Sequence, residues 1–291
     1  ILCLIFACVF KSVPLFLLST YNIIFNICLN QTDKRKDFKR VKVERFLSEI
    51  MKADLIRDVW ELHVSKMREY NFDRLVYGFT HFSTDHGLGD PNDFTFLTNH
   101  SADYINGFIN DGLFKDAPMT NWAQANNGAC SWTHIVKRMQ NATLSPGELA
   151  TIAFNHKHDV KAGYTISFKA PSMRSKGAIG LTAPKNMSQE EVDENWKEFG
   201  DEILLINNVV HLKIIALPLE TPAALNLTKR QIQVLQWVSD GKTLQDVSVL
   251  LNISPATVEK HLRLARQGLG VETTAQAIMK TVRQNQIHIT K

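Results

Sequence analysis

Apolar positions recur along the chain with two different periods, which separate helical from strand-forming segments. Residues 44–70 predict an amphipathic helix, whose apolar side chains form one stripe at Phe46, Ile50, Leu55, Val59 and Leu62. Short apolar runs predict strands at Asp73–Phe82, Phe94–Leu97, Tyr164–Phe168 and Ala178–Thr182, and a further helix is expected at Ala102–Asn110. Strands interleaved with helices predict an α+β fold that opens with an α/β/α sandwich around a mostly antiparallel sheet.

The longest helical pattern begins at Ser188, which forms a capping box with Glu191. Its apolar stripe consists of Val192, Trp196, Phe199, Ile203, Ile206 and Val210. Steps of three and four residues favour packing of this stripe on the sheet, and their near-heptad spacing also allows part of the helix to form a dimer seam. Pro218 and Pro222 then stiffen a connector, and we place a domain boundary there.

Residues 228–285 predict an all-α domain of four short helices. Thr228 and Gln231 form a capping box for the first helix, and Gly241 ends it. Thr243 starts the second, with an inner face of Leu244, Val247 and Leu251. Ser254 caps the third, which buries Val258, Leu262, Ala265 and Leu269. Two short helices joined by a tight turn are typical of the helix-turn-helix, which lays its second helix in the major groove of DNA.

The charge distribution supports a polyanionic partner for this end of the chain. Residues 226–291 hold nine Lys and Arg against four Asp and Glu, a net +5, whereas residues 46–225 are net −6, with sixteen against twenty-two. We expect double-stranded DNA to be contacted by Lys242, Thr257, Glu259, Lys260, Arg263, Arg266 and Gln267. Arg263 suits guanine edges and Glu259 cytosine, while lysines and Arg266 neutralise phosphates. The alternative is that Glu259 and Arg263 only pair with each other on a solvated surface.

The first residues of the chain have a different composition. Residues 12–32 are uncharged and about long enough to span a bilayer, and a basic run at residues 34–36 follows. The first Met is Met51, from which 241 residues run to the end. We interpret residues 1–44 as a hydrophobic and basic leader outside the folded protein; a membrane anchor and a signal peptide are the alternatives. The cysteines form no Cys-x-x-Cys pair, which favours a reducing cytoplasm.

The C-terminal motifs resemble the DNA-binding domain of LuxR-type regulators. The similarity lies in residues 227–243 and 253–262, and the matching positions are Leu235, Gly241, Thr257, Val258, His261 and Leu262. Two positions depart from the family pattern. Gln231 replaces a usual Glu but keeps a capping box, and Gln267-Gly268-Leu269 replaces a usual Arg-Lys-Leu.

Residues 72–182 resemble the autoinducer-binding domain of the quorum-sensing members of that family. The similar residues are Tyr77-Gly78, residues 97–100, Tyr104, Phe108, residues 116–119 and residues 128–132. The resemblance implies a buried acyl-homoserine lactone, with an aromatic donor on the lactone carbonyl, an Asp on the amide N–H and a Trp packed on the ring. The candidate ligand-binding residues are Tyr104, Asp116, Trp132, Phe108 and Tyr77.

One of these residues departs from the family pattern. The family's Asp directly precedes Pro, whereas Ala117 precedes Pro118 here and Asp116 lies one residue early. A one-residue slip in the loop would return the carboxylate to the ligand, and this possibility is left open. Phe108 also stands where the family usually has Tyr.

These observations predict a ligand-responsive transcription regulator, not an enzyme, that binds a dyad-symmetric site as a homodimer. The domains expected are 45–217 for the autoinducer, a linker 218–226 and the helix-turn-helix at 227–291. No cofactor or metal is expected, since His156 and His158 have no third partner nearby in the sequence, and RNA polymerase is a further candidate partner. Alternatives are a LuxR-type regulator that answers another small molecule, and a membrane-tethered form.

Overall fold

The computed structural model describes residues 43–83, 88, 94–169, 172, 174–218 and 227–283. The predicted leader at 1–44 falls almost wholly outside these residues, as does most of the linker at 218–226. The predicted domain limits therefore remain predictions. Within the described ranges, no helix is long and apolar enough to cross a membrane.

The sheet has five strands: β1 (Arg74–Thr80), β2 (Thr95–Thr98), β3 (Gly128–Ser131), β4 (Gly163–Ser167) and β5 (Lys176–Thr182). Their order is β2-β1-β5-β4-β3, and each pairing is antiparallel. This confirms the predicted sheet. Four strands lie where the apolar runs predicted them, whereas β3 was missed because its sequence, Gly-Ala-Cys-Ser, has no alternation of apolar and polar residues.

Helices cover both faces of the sheet. One face carries α1 (Ile56–Arg68) and α6 (Gln189–Ala216); the other carries α2 (Ala102–Ile105), α3 (Pro118–Ala125), α4 (Thr133–Gln140) and α5 (Pro146–Lys157). A π-helical turn, Asn106–Asn110, extends α2. The helix predicted over 44–70 is interrupted at residues 53–55, where Leu55 is extended and caps α1. Its apolar stripe therefore comes from two helical segments.

The long helix α6 forms as its capping box and stripe predict. The Ser188 side chain accepts the Glu191 backbone N–H, and the Glu191 carboxylate accepts the Ser188 N–H. Val192, Ile203 and Val210 are buried against the sheet side of the domain. The opposite side of the helix leaves Leu205 and Leu212 exposed, at 50% and 61% of their surface.

The C-terminal part is a bundle of α7 (Lys229–Ser239), α8 (Leu244–Leu251), α9 (Pro255–Leu269) and α10 (Thr274–Arg283). Its core includes Val234, Val247, Val258, Leu262 and Ala265, each at most 3% exposed. The inner face predicted for α8 is partly wrong: Leu244 is the first residue of that helix and is 39% exposed. A left-handed Asn252 ends α8, and the Ser254 hydroxyl accepts the Thr257 N–H to begin α9.

Candidate functional site

A cavity of about 280 Å³ lies between the sheet and the helices α2 to α5. Its walls are mainly apolar and aromatic, with contributions from Phe96, Phe108, Ile135 and Met139. None of the described residues that line it is Asp or Glu. Such a cavity suits a molecule with an apolar body and a small uncharged or hydrogen-bonding head.

The floor of the cavity is formed by small residues on the two central strands. Gly78 pairs with Ala178 across β1 and β5, and Val76 pairs with Gly180. All four residues line the cavity. A Cβ placed on Gly180 would come no closer than 4.0 Å to another residue. The space therefore exists because the side chains that point into it are short.

Tyr104 occupies one wall of the cavity and is only 3% exposed. Its ring stacks between those of His100 and Phe108, with centroid distances of 4.4 and 5.1 Å. Its hydroxyl donates to Oδ1 of Asn155 at 3.0 Å. Burial raises the pKa of Tyr104 despite the opposing charge of Arg74, so the hydroxyl keeps its proton and remains a donor. The structure thus brings Tyr104 and Phe108 together.

Trp132 lies on another wall, at the start of α4. Its indole Nε1–H donates to the Thr165 hydroxyl at 2.9 Å. Gly163 packs so closely that a Cβ there would lie 3.0 Å from the indole ring. With its N–H engaged by Thr165, Trp132 presents its ring to the cavity.

His100 lines the cavity and was not among the residues predicted from the sequence. Its Nε2 is buried and has no hydrogen-bond partner among the described residues. Burial lowers the pKa of His100 to about 3, helped by the charges of Arg74 and His158, so the ring is neutral at physiological pH. A buried nitrogen without a partner costs about 1–3 kcal/mol, which a ligand polar atom would recover. The sequence signals were its place directly after an apolar strand and within residues 97–100, which resemble the family's ligand-binding domain.

Asp116 does not line the cavity. Its side chain is exposed and lies beside Gly147 of α5, where a Cβ on the glycine would approach its carboxyl carbon to 2.9 Å. Ala117 and Pro118 line the cavity instead. The loop does not slip by one residue, because Ala117 is extended and Pro118 starts α3, which fixes the inward position at Ala117.

Tyr77 does not line the cavity either. Along β1, Val76 and Gly78 face the cavity, and the alternation of a strand places Tyr77 on the opposite face. There it is 1% exposed, and its hydroxyl lies 2.9 Å from Nδ1 of His211 on α6. Tyr77 therefore belongs to the core between the sheet and α6.

On the C-terminal bundle, the outer face of α9 is polar and exposed. The exposed residues of this face are Glu259, Lys260, Arg263 and Gln267. Arg263 donates a hydrogen bond to the Gln267 side chain at 3.4 Å. Lys242 is also exposed, between α7 and α8. None of the described ion pairs joins Arg263 to a carboxylate. Apart from the hydrogen bond to Gln267, its guanidinium N–H groups can meet an acceptor from outside the protein.

Arg266 and Thr257, two of the predicted DNA-contacting residues, are held by side chains at the two ends of α9. Arg266 donates to Glu259 at 3.1 Å and to the Thr274 hydroxyl at 2.8 Å, which ties α9 to the start of α10. The Thr257 hydroxyl lies 2.8 Å from that of Ser254 in the helix cap. Both side chains help to hold the bundle together, and Arg266 is 21% exposed.

Residues 56–214 match the family description "Autoinducer binding domain", and residues 225–281 match "Bacterial regulatory proteins, luxR family". The chain belongs to the LuxR family of transcription regulators. Its relatives in this family include several transcriptional activators. The transcriptional activator protein ExpR of Dickeya dadantii is 24% identical over 206 residues, which is 68% of this chain and 80% of ExpR. LuxR of Aliivibrio fischeri is 22% identical over 65% of this chain and 74% of LuxR.

Solved structures of LuxR-type architecture share this fold. The crystal structure of Escherichia coli SdiA superposes with a TM-score of 0.53 and 16% identity, covering 88% of this chain and 99% of SdiA. SdiA in complex with octanoyl-rac-glycerol gives a TM-score of 0.51 and 14% identity, covering 87% of this chain and 96% of that protein. The sandwich followed by a helical bundle is thus a LuxR-family architecture.

Proposed function

We propose that this protein is a cytoplasmic, dimeric transcription regulator whose binding to DNA is controlled by an acyl-homoserine lactone held in the cavity. The observation that carries the proposal is the apolar cavity of about 280 Å³ in a chain that also ends in a helix-turn-helix. A buried ligand of this kind completes the core of the domain, and so ligand binding stabilises the state that binds DNA.

The polar atoms of the cavity support a ligand with a hydrogen-bonding head. The Tyr104 hydroxyl and the unpartnered Nε2 of His100 lie on stacked rings and offer two contacts to that head. Trp132 covers it with an apolar ring. The acyl chain then lies over the short side chains of Gly78, Ala178 and Gly180. Each buried methylene contributes about 0.8 kcal/mol, so affinity should rise with chain length until the cavity is full.

The outer side of α6 is proposed as the dimer contact. This side of the helix carries Leu205, Asn208 and Leu212, which are spaced three and four residues apart. Both leucines are exposed. This is the spacing of a coiled-coil seam, and a polar residue such as Asn208 within it fixes the register of two helices. Two copies joined here would present two α9 helices to a dyad-symmetric DNA site, at half-sites about one helical turn apart.

The test is a thermal-melting series with acyl-homoserine lactones of increasing chain length, followed by DNA binding with the best of them. We expect the melting temperature to rise with chain length and then fall once the chain exceeds the cavity. The liganded protein should bind a dyad-symmetric site as a dimer. An unchanged melting temperature across the whole series would overturn the lactone assignment.

A second candidate ligand is an acyl ester without an amide. It is favoured by one observation: Ala117 lines the cavity, and the carboxylate of Asp116 does not. A buried amide N–H without an acceptor costs about 1–3 kcal/mol, whereas an ester has no N–H to satisfy. The SdiA structure with octanoyl-rac-glycerol shows that another protein of this fold takes such an ester. Octanoylglycerol therefore belongs in the same melting series.

A further inference from the structure

A polar cluster joins the cavity wall at Trp132 to the first turns of α6. At its centre is the carboxylate of Asp193, a residue of α6 that is partly buried. Its Oδ1 accepts the Ser131 hydroxyl at 2.7 Å, and its Oδ2 accepts the Thr133 hydroxyl at 2.9 Å. The two donors are the residues on either side of Trp132. One carboxylate therefore holds both ends of the tripeptide that carries the cavity tryptophan.

The same cluster fixes the strand on which Trp132 packs. Gln189, the first residue of α6, donates to Asp193 at 2.9 Å and exchanges two hydrogen bonds with the backbone of Gly163, at 2.9 and 3.2 Å. Gly163 also accepts the Trp132 backbone N–H at 3.1 Å. The tryptophan and its packing surface are thus both tied to the beginning of α6.

The electrostatics of the cluster agree with a permanently ionised Asp193. Burial alone would raise the pKa of this carboxyl, but hydrogen bonds from Ser131, Gln189, Thr133 and Tyr164 outweigh it, and the pKa is lowered. Tyr164 in turn stacks on Trp196 of α6 at 3.9 Å, with the rings nearly parallel. Charge-assisted hydrogen bonds are stronger than neutral ones, so the anion is the form that holds the cluster together.

We propose that Asp193 is a positioning residue, which sets the position of Trp132 in the cavity and makes the start of α6 respond to cavity occupancy. A ligand that presses on the Trp132 ring moves a segment that is bonded on both sides to α6. This inference rests on the proposed function only for the identity of the ligand. The link between Asp193 and Trp132 exists without one.

The first test needs no ligand. In the full chain labelled with ¹⁵N, the indole N–H signal of Trp132 is assigned by its loss in Trp132→Phe. Asp193→Asn removes the charge and keeps the shape, and we expect it to shift or broaden that signal. The matched control is Glu190→Gln, which removes an exposed charge from the first turn of the same helix and should leave the signal unchanged. An unshifted Trp132 signal in Asp193→Asn would overturn the proposal.

The second test is a double-mutant cycle with two probes, N-octanoyl-homoserine lactone and octanoylglycerol. Asp193→Asn should weaken binding of whichever probe stabilises the wild type by about five- to tenfold, a coupling typical of residues in one network. In the Trp132→Phe background the same change should have little further effect. Equal losses in both backgrounds would show a general structural role and overturn the proposal. Absence of binding by the wild type would instead contradict the proposed ligand class and leave the spectroscopic test decisive.

Discussion

The Tyr104 hydroxyl donates to Oδ1 of Asn155 at 3.0 Å, on the wall of the cavity. A ligand carbonyl at this wall would accept the same proton. We therefore expect Tyr104→Phe to weaken ligand binding about tenfold, because a net hydrogen bond contributes about 1 kcal/mol or slightly more. Isothermal titration or a ligand-dependent melting shift measures the change.

Tyr77 provides the matched control for this substitution. It is a buried tyrosine on the same sheet, but its hydroxyl contacts His211 on the opposite face. Tyr77→Phe should lower the melting temperature and leave the ligand affinity of the folded protein unchanged. If the two substitutions have the same effect on affinity, Tyr104 does not contact the ligand.

Ala178 lies on the cavity floor and is paired with Gly78. Ala178→Leu should fill part of the cavity, which raises the stability of the ligand-free protein by about 0.5–2 kcal/mol. The same change should reduce affinity for long acyl chains more than for short ones. Melting curves with and without ligands of graded length measure both effects. Ala153→Leu, on the exposed face of α5, is the control and should change neither. A preserved preference for long chains in Ala178→Leu would place the acyl chain elsewhere.

Ala117 lines the cavity at the position directly before Pro118, where the family usually has Asp. Ala117→Asp would place an acceptor next to Pro118, and it should increase the ratio of affinities for acyl-homoserine lactone over acyl ester. Burying a new carboxylate lowers stability, but only a restored amide contact changes this ratio in favour of the lactone. Competition between the two probes measures it. A ratio that stays the same, or moves towards the ester, would refute the role given to this position.

Arg263 is exposed on α9. Among the ion pairs of the described residues, none joins it to a carboxylate. Arg263→Ala should relax sequence preference at one base-pair position, at a cost of about 1–3 kcal/mol for the preferred site. Lys242→Ala should weaken binding to all sequences alike and reduce its salt dependence. Binding to a panel of single-base operator variants separates the two. Uniform loss in both variants would mean that Arg263 contacts phosphate and not bases.

Buried histidines, among them His63, His211 and the cavity residue His100, make stability depend on pH. Burial lowers the pKa of His63 to about 4, against an opposing hydrogen bond to Asn207, and burial lowers the pKa of His211 to about 4 as well. In the unfolded chain these histidine side chains take up protons near pH 6.5, whereas in the folded protein they stay neutral until the pH is much lower. The free energy of unfolding should therefore be highest above pH 6.5 and fall as the pH decreases towards 4, by on the order of 3 kcal/mol per histidine at most.

Urea denaturation at several pH values between 7 and 4 measures this dependence. His63→Gln should reduce the slope of the free energy of unfolding against pH, because it removes one of these buried groups. An unchanged slope in His63→Gln would show that His63 does not titrate on unfolding.

The sequence predicted the helical bundle most accurately because its signals are local. The Thr228, Thr243 and Ser254 side chains each form the cap expected of them. The buried stripe of α9 also follows directly from its spacing. The same reasoning wrongly predicted that Leu244 is buried, because the spacing of apolar residues does not show how far the neighbouring helices cover α8.

The ligand cavity was predicted less well, because its geometry depends on which face of a strand each residue occupies. Tyr104, Phe108 and Trp132 line the cavity as the family resemblance implied, but Tyr77 and Asp116 do not. Tyr77 lies on the other face of β1, one residue away from the inward positions Val76 and Gly78. Asp116 lies outside because the helix that Pro118 starts fixes its loop. His100 lay in a stretch that resembles the family, but nothing in the sequence showed that its ring lines the cavity. Asp193 gave no motif, since its partners Ser131 and Thr133 are distant in the sequence.

The short side chains along β1 and β5 have a consequence for how this protein would change its specificity. Since Gly78, Ala178 and Gly180 alternate with Tyr77, Ile179 and Leu181, the two faces of the central strands are encoded by separate positions. A single substitution at an inward position would shorten the accepted chain while the opposite layer kept its packing. If the proposed acyl ligand occupies this cavity, its accepted length can change by substitution without altering the core that keeps the domain folded.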